Sequence, residues 1–204
     1  MNNKKNNNSR PKRELDFELV AKIVMIFTVI GIIVSSILIF TPPISGEEYA
    51  ELGLLTYNQS EQKYKAENYP SRIDYNQTTG LSESITLFVM ISNHYASTKF
   101  FEIRLKIGLQ SVLINEDIYG TNETTYFMEE HWIKRILDTD QQWGPSSESK
   151  FEFQFSEEIL TKLGINEDGY KIIFELWEWN QSLEDFSYTG IHVYLTSLKL
   201  DLVS

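Results

Sequence analysis

From Ile23 to Phe40 the chain reads IVMIFTVIGIIVSSILIF, an apolar run without a single charge. A helix needs about 20 mainly apolar residues to cross the hydrocarbon core of a bilayer. Residues 19–40 supply that length, interrupted only by Lys22, which lies near enough to one end to reach the interface. The run has no polar face, so it does not suit a helix half-exposed on a soluble core. The sequence therefore predicts a transmembrane helix over 19–40. A disordered, Asn- and Lys-rich cytoplasmic stub precedes it over 1–18. A short stalk at 41–47, begun by Thr41-Pro42-Pro43, stops the helix. One domain over 48–204 follows.

Charge sets the expected direction. Lys4, Lys5, Arg10, Lys12 and Arg13 precede the run, and such clusters stay on the cytoplasmic side. The whole chain has 18 basic and 29 acidic residues; six and three of these lie at or before Phe40, leaving 12 and 26 beyond it, a net of −14. The expected location is the cell membrane, single-pass, with the N-terminus cytoplasmic and the C-terminal domain extracytoplasmic. The bilayer is the expected partner of Ile23 to Phe40. A cleaved signal peptide is the rival reading, but its apolar region is usually about 7–15 residues and ends at small residues. Here Thr41-Pro42-Pro43-Ile44-Ser45-Gly46 follows a longer run.

The domain is long enough, at about 160 residues, to bury a real core. Its lack of cysteine excludes disulfides, thiolate zinc sites and thiol nucleophiles, and favours a prokaryotic setting for an extracellular domain. Its acidity argues against nucleic acid as a partner, because phosphate contacts need clustered Lys and Arg. Strand signals dominate. Residues 98–108 (TKFFEIRLKIG) alternate Phe101, Ile103, Leu105 and Ile107 with Glu102, Arg104 and Lys106, the period of a half-buried strand. Residues 49–57, 84–92, 150–155, 170–179 and 191–203 read as further strands, and 128–137 is ambiguous between strand and helix, with strand favoured. Residues 93–97 read as a hairpin-length loop. In the last strand the apolar parity shifts between Leu195 and Leu198, as a β-bulge requires. Ser156 caps a short helix that Gly164 ends. The expected fold is an all-β, antiparallel, immunoglobulin-like β-sandwich with one short helix, behind the N-terminal transmembrane helix.

An aromatic–Glu–x–x–Leu strand at 49–54 is followed by the turn Lys65-Ala66-Glu67-Asn68-Tyr69-Pro70 and by Ile91-Ser92-Asn93-His94. In this order the chain resembles the domain of unknown function 1616, a family of mostly archaeal membrane proteins, over 47–203. Tyr95 departs from the Glu often found there, and members often carry several membrane helices. The resemblance implies an extracytoplasmic β-sandwich with a membrane anchor, and nothing catalytic.

Four N-x-[S/T] sequons fall in expected outer turns: Asn58, Asn76, Asn122 and Asn180. A glycoprotein is one reading, and plain polar turns the other. Trp177 and Trp179 share a strand face; if open, they would stack on a sugar or a partner surface. Glu129-Glu130-His131 is the densest acid/His cluster, but neither strand nor helix spacing makes it a ligand set. His94 and His192 have no carboxylate nearby in sequence. Asn115-Glu116-Asp117 and Asn166-Glu167-Asp168-Gly169 read as acidic turns without EF-hand spacing. No Ser-His-Asp pattern, G-x-S-x-G or phosphate-cradling loop is present. The expected function is non-enzymatic and needs no cofactor: a membrane-anchored surface protein binding an unknown protein or glycan. Alternatives are an accessory subunit packing through Gly31 and Ser35, and an anchored hydrolase of envelope polymers using paired carboxylates.

Overall fold

The computed structural model describes residues 48–115, 120–121, 125–166 and 168–204, together with Met25, Ile26 and Thr28, which are helical. The chain divides into two compact units, Met1–Gly46 and Glu47–Ser204. The expected stub, stalk and transmembrane helix lie outside the described residues, apart from those three. Among the described residues no helix is long and apolar enough to cross a membrane.

The second unit is mostly β-sheet. In the first sheet, β1 (Ala50–Asn58) pairs with β5 (Ile85–Asn93) on one side and β2 (Lys63–Lys65) on the other. The outer edge of β5 is shared by two short strands laid end to end. β11 (Gln142–Trp143) takes Ser92 and Ile91, and β12 (Lys150–Phe153) takes Phe88 to Ile85. The second sheet runs β10-β6-β13-β14-β3-β4, with β9 beside β6 beyond the end of β10. These strands are β3 (Arg72–Asn76), β4 (Leu81–Ser82), β6 (Lys99–Leu109), β9 (Thr125–Phe127), β10 (Ile133–Leu137), β13 (Tyr170–Asn180) and β14 (Asp185–Val203). A small ribbon joins β7 (Ile114–Asn115) to β8 (Gly120–Thr121).

The two sheets bury their facing side chains. Leu87, Val89 and Ile91 of β5 and Phe151 of β12 meet Phe101, Ile103, Leu105 and Ile107 of β6 and Phe174 of β13, all at 0–1% exposure. The rings of Phe151 and Phe174 touch edge to face across the interior, with centroids 5.0 Å apart. Each such side chain contributes about 1.5–3 kcal/mol of apolar burial, which suffices for a core without disulfides. The only α-helix among the described residues of this unit is α1 (Glu157–Leu163). The Ser156 side chain accepts the Ile159 N–H at its start, and Gly164, at φ +79°, closes it.

Several expectations need correcting. Residues 93–97 do not close a hairpin, because β5 and β6 lie in different sheets. The loop is a crossover, and Asn93 holds it. Fully buried, Asn93 donates from Nδ2 to the carbonyls of Ser97, Leu137 and Asp138 at 2.9–3.0 Å, and its Oδ1 accepts from Tyr95 N. The fold is not purely antiparallel, since β14 pairs with β3 in parallel. Residues 128–137 split into a 3-10 turn, Glu129–His131, and the strand β10. The expected bulge is present. Tyr170 pairs with Leu198 and Ile172 with Leu195, leaving an extra residue on β14, where Ser197 has φ +58°.

Candidate functional site

The outer face of β6 is the largest departure from the half-buried strand expected there. Glu102 and Lys106 are each only 2% exposed. Neighbouring strands cover them with aromatic rings. Arg104 lies with its guanidinium carbon 3.8 Å from the Trp177 ring centroid and 4.6 Å from that of Trp132. Its Nε donates to Glu102 Oε1 at 2.8 Å, while Lys134 Nζ lies 3.5 Å from the other oxygen of the same carboxylate. Lys106 Nζ lies 2.6 Å from Glu175 Oε2, which also accepts the Trp177 indole N–H at 3.0 Å. Burial pushes the Lys106 ammonium below its ordinary value, and Glu175 pulls it back up. The result is a lattice in which charges and rings hold one another across β6, β13 and the β9–β10 edge. Its carboxylates are engaged by cations and an indole, so this face is built for rigidity, not proton transfer.

The two candidate stacking residues part company here. Trp177 is locked into the lattice. Trp179 is 39% exposed and leans on Phe186 and Phe100. It lines a shallow cleft of about 370 Å³ with Tyr95, Glu178 and Tyr188. The structure does not offer the pair as one open platform.

A larger opening lies in the first sheet. The ladder between β1 and β5 ends at Leu55↔Phe88, although β1 continues to Asn58 and β5 begins at Ile85. Beyond Leu55, β1 stays with β2 while the start of β5 stays with β12. A cleft of about 750 Å³ opens where they separate. On one wall the rings of Tyr57, Tyr64 and Phe88 pack against one another, with Tyr64 set edge-on to Phe88 at 4.8 Å. Gln59, Asn68, Ser84 and Thr86 add uncharged polar groups, and Glu83 adds one exposed carboxylate. Two cations at its margin are matched nearby: Arg72 lies 3.4 Å from Asp201, and Lys150 bonds Glu152. These walls suit contact with rings and hydrogen-bonding groups of a ligand. The sequence places Tyr57 on a strand and does not connect it with Tyr64 or Phe88. The Tyr57↔Tyr64 register across a short hairpin was the available signal.

The acid/His positions scatter. Glu130 and His131 line a cleft of about 630 Å³ with Glu152 and Glu158, and His131 Nε2 lies 3.7 Å from Glu130. Among the described residues no three His, Asp or Glu side chains form a metal-binding group. His94 stacks on Tyr49, with Glu51 of β1 at 3.6 Å and Asp140 of a distant turn at 3.8 Å. His192 Nδ1 shares a hydrogen bond of 2.6 Å with Tyr188, and its ring stacks on Tyr194. Asn166 Oδ1 accepts from Asp168 N, forming a local turn. Glu116, Asp117 and Glu167 lie outside the described residues.

Of the four sequons, three are described. Asn58, Asn76 and Asn180 each stand at the last position of a strand, half-buried at the start of an exposed turn. Asn122 lies outside the described residues.

No family model and no curated protein matches the chain, so the resemblance to the domain of unknown function 1616 finds no support there. Among solved structures, the chain aligns with beta-glucosidase from Listeria innocua. The complex with glucose gives 16% identity and a TM-score of 0.30, covering 76% of this chain and 17% of that one. The gluconolactone complex gives 15% and 0.26 over the same shares, and the isofagomine complex 15% and 0.29 over 78% and 17%. The chain thus spans about 17% of the length of those proteins.

Proposed function

We propose that this chain is a single-pass, membrane-anchored surface protein whose β-sandwich recognises a protein or glycan partner without catalysing a reaction. The anchor is the run from Ile23 to Phe40, with its basic leader in the cytoplasm and the acidic domain outside. The domain is immunoglobulin-like in its packing of two sheets and related to the domain of unknown function 1616. The observation that carries recognition is the cleft between β1 and β5. Its walls present rings and uncharged polar groups, with Glu83, Arg72 and Lys150 also lining it, whereas the buried carboxylates elsewhere are held by cations. Such surfaces gain affinity from aromatic contact and satisfied hydrogen bonds.

The test is photo-crosslinking in native membranes. A benzoylphenylalanine placed at Gln59, which is exposed at the cleft, should capture a defined neighbour. Tyr57→Ala should weaken that capture at least several-fold; Tyr57 is 42% exposed, so its removal leaves the core intact. Capture that is unchanged by Tyr57→Ala, or equal from a probe on the opposite sheet, would contradict recognition through this cleft.

A further inference from the structure

We infer that Asn58, Asn76 and Asn180 are acceptors of N-linked glycans, and that the glycan on Asn58 shields the edge of the first sheet at β2. The inference rests on the outward placement of the domain proposed above. Each asparagine is the final residue of its strand: Asn58 of β1, Asn76 of β3 and Asn180 of β13. Each uses its side chain in the same way. Asn58 Oδ1 accepts the N–H of Ser60 at 3.0 Å and of Glu61 at 3.2 Å. Asn76 Oδ1 accepts those of Thr78 at 2.8 Å and Thr79 at 3.0 Å. Asn180 Oδ1 accepts those of Ser182 at 2.9 Å and Leu183 at 3.3 Å.

The carbonyl end of each amide is therefore fixed by the turn, and none of the three Nδ2 atoms donates to a described residue. The first donor in every case belongs to the hydroxyl residue of the sequon. Ser60, Thr78 and Ser182 are all exposed, and Ser60 Oγ also donates to Asn58 Oδ1 at 2.7 Å. A turn of this kind needs only the backbone N–H at that position, so it leaves the side chain free to vary. The hydroxyl is what glycan transfer adds to the requirement.

The transfer is a substitution at carbon. The amide nitrogen bonds to the anomeric carbon of a glycan carried on a polyprenyl phosphate. The bond from that carbon to the phosphate oxygen breaks, the lipid phosphate departs with the electron pair, and the amide loses one proton. A membrane oligosaccharyl transferase of the host supplies the catalysis, and nothing is oxidised or reduced.

The placement gives one of these glycans a task. The turn after Asn58 leads into β2, and the turn after Asn76 leads into β4. β2 is one outer edge of the first sheet, whereas the outer side of β4 is already bonded to residues 155–157, by Ser82 N–H to Phe155 O and Glu157 N–H to Gly80 O. An exposed edge offers unpaired backbone groups to other chains, and proteins cover such edges. The domain leaves β2 only three residues long, and a glycan at the turn before it would block approach to that edge.

The test uses the full chain isolated from the membranes of its own host. Peptides containing Asn58, Asn76 and Asn180 are examined by mass spectrometry, and mobility is compared for Asn58→Gln, Asn76→Gln, Asn180→Gln and Thr78→Val. Thr78→Val keeps the backbone N–H that binds Asn76, so it preserves the turn while removing the hydroxyl. The expected result is a hexose-containing mass on each peptide, a one-glycan step in mobility for each Gln variant, and the same step for Thr78→Val as for Asn76→Gln. Bare peptides at all three sites, in a protein whose domain is labelled from outside intact cells, would overturn the inference and leave the proposed function standing. Bare peptides in a domain labelled only after permeabilisation would overturn both. A glycan at position 76 that survives Thr78→Val would overturn the sequon reading.

Discussion

Lys106 and Glu175 sit on what the alternation of β6 marks as the solvent side, yet their side chains are 3% and 0% exposed. Burial of two charges costs several kcal/mol each unless they are paired and hydrogen-bonded. Here the pair is 2.6 Å apart, and the Trp177 indole completes the carboxylate. Glu175→Ala should therefore cost about 3–5 kcal/mol, because it removes the carboxylate bonded to a buried ammonium. The double replacement Lys106→Met, Glu175→Leu should cost far less. Denaturant unfolding of the full chain in detergent, followed by Trp fluorescence, reads both. Equal losses for the single and double variants would contradict the pairing. Tyr170 provides a second residue-scale test. Its buried hydroxyl donates to Gly164 O at 2.6 Å and accepts from Asn166 N at 3.2 Å, and burial raises its pKa above 10.0. A folded pKa above the unfolded one means stability that is complete below about pH 10 and is lost as pH rises through the folded value. Lys106 has the opposite sign, because its folded value lies below 10.5, and it adds stability as pH climbs towards that value. Comparing wild type with Tyr170→Phe cancels the lysine. The gap between them should be about 1–3 kcal/mol, constant to about pH 9, and should narrow above pH 10; a gap that widens there would contradict the assignment.

At the scale of elements, periodicity reported faces and concealed partners. The residues of β5, β6 and β13 were legible because alternate apolar side chains mark the buried side of a strand. The bulge of β14 was legible because a parity shift between Leu195 and Leu198 has few other causes. The caps of α1 were legible from Ser156 and Gly164, whose chemistry is local. What a strand pairs with is not local. The crossover at 93–97 has hairpin length, and only the buried contacts of Asn93 with Leu137 and Asp138 distinguish it. The parallel pairing of β14 with β3 joins segments more than 120 residues apart, beyond any pattern in a window of sequence. The broken edge of β5 was equally hidden. Gly144 makes that break, at φ +79°, with a Cβ at its position only 2.2 Å from Val89 O. Gly144→Ala should cost about 1–3 kcal/mol from backbone strain alone, with more from the clash, and should lower the thermal midpoint. An unchanged midpoint would show that β11 and β12 relax without loss.

For the whole molecule, the candidate site was less legible than the fold. The two tryptophans chosen from sequence divide between a rigid lattice and a shallow cleft, because composition reveals an aromatic strand but not what covers it. The cleft of Tyr57, Tyr64 and Phe88 arises from the separation of two strands, a tertiary event without a sequence signature. The alternation at Glu102, Arg104 and Lys106 implies a half-buried strand, because the rings that cover its outer face come from other strands. The proposed location rests on the run from Ile23 to Phe40 and its basic leader, and the proposed function depends on it. The chain has no cysteine, so single cysteines can be labelled without background. Ile165→Cys, at a position 66% exposed in the β-domain, should react with a membrane-impermeant maleimide on intact cells, while Asn3→Cys should react only after permeabilisation. The reverse pattern would contradict the anchored, outward-facing domain.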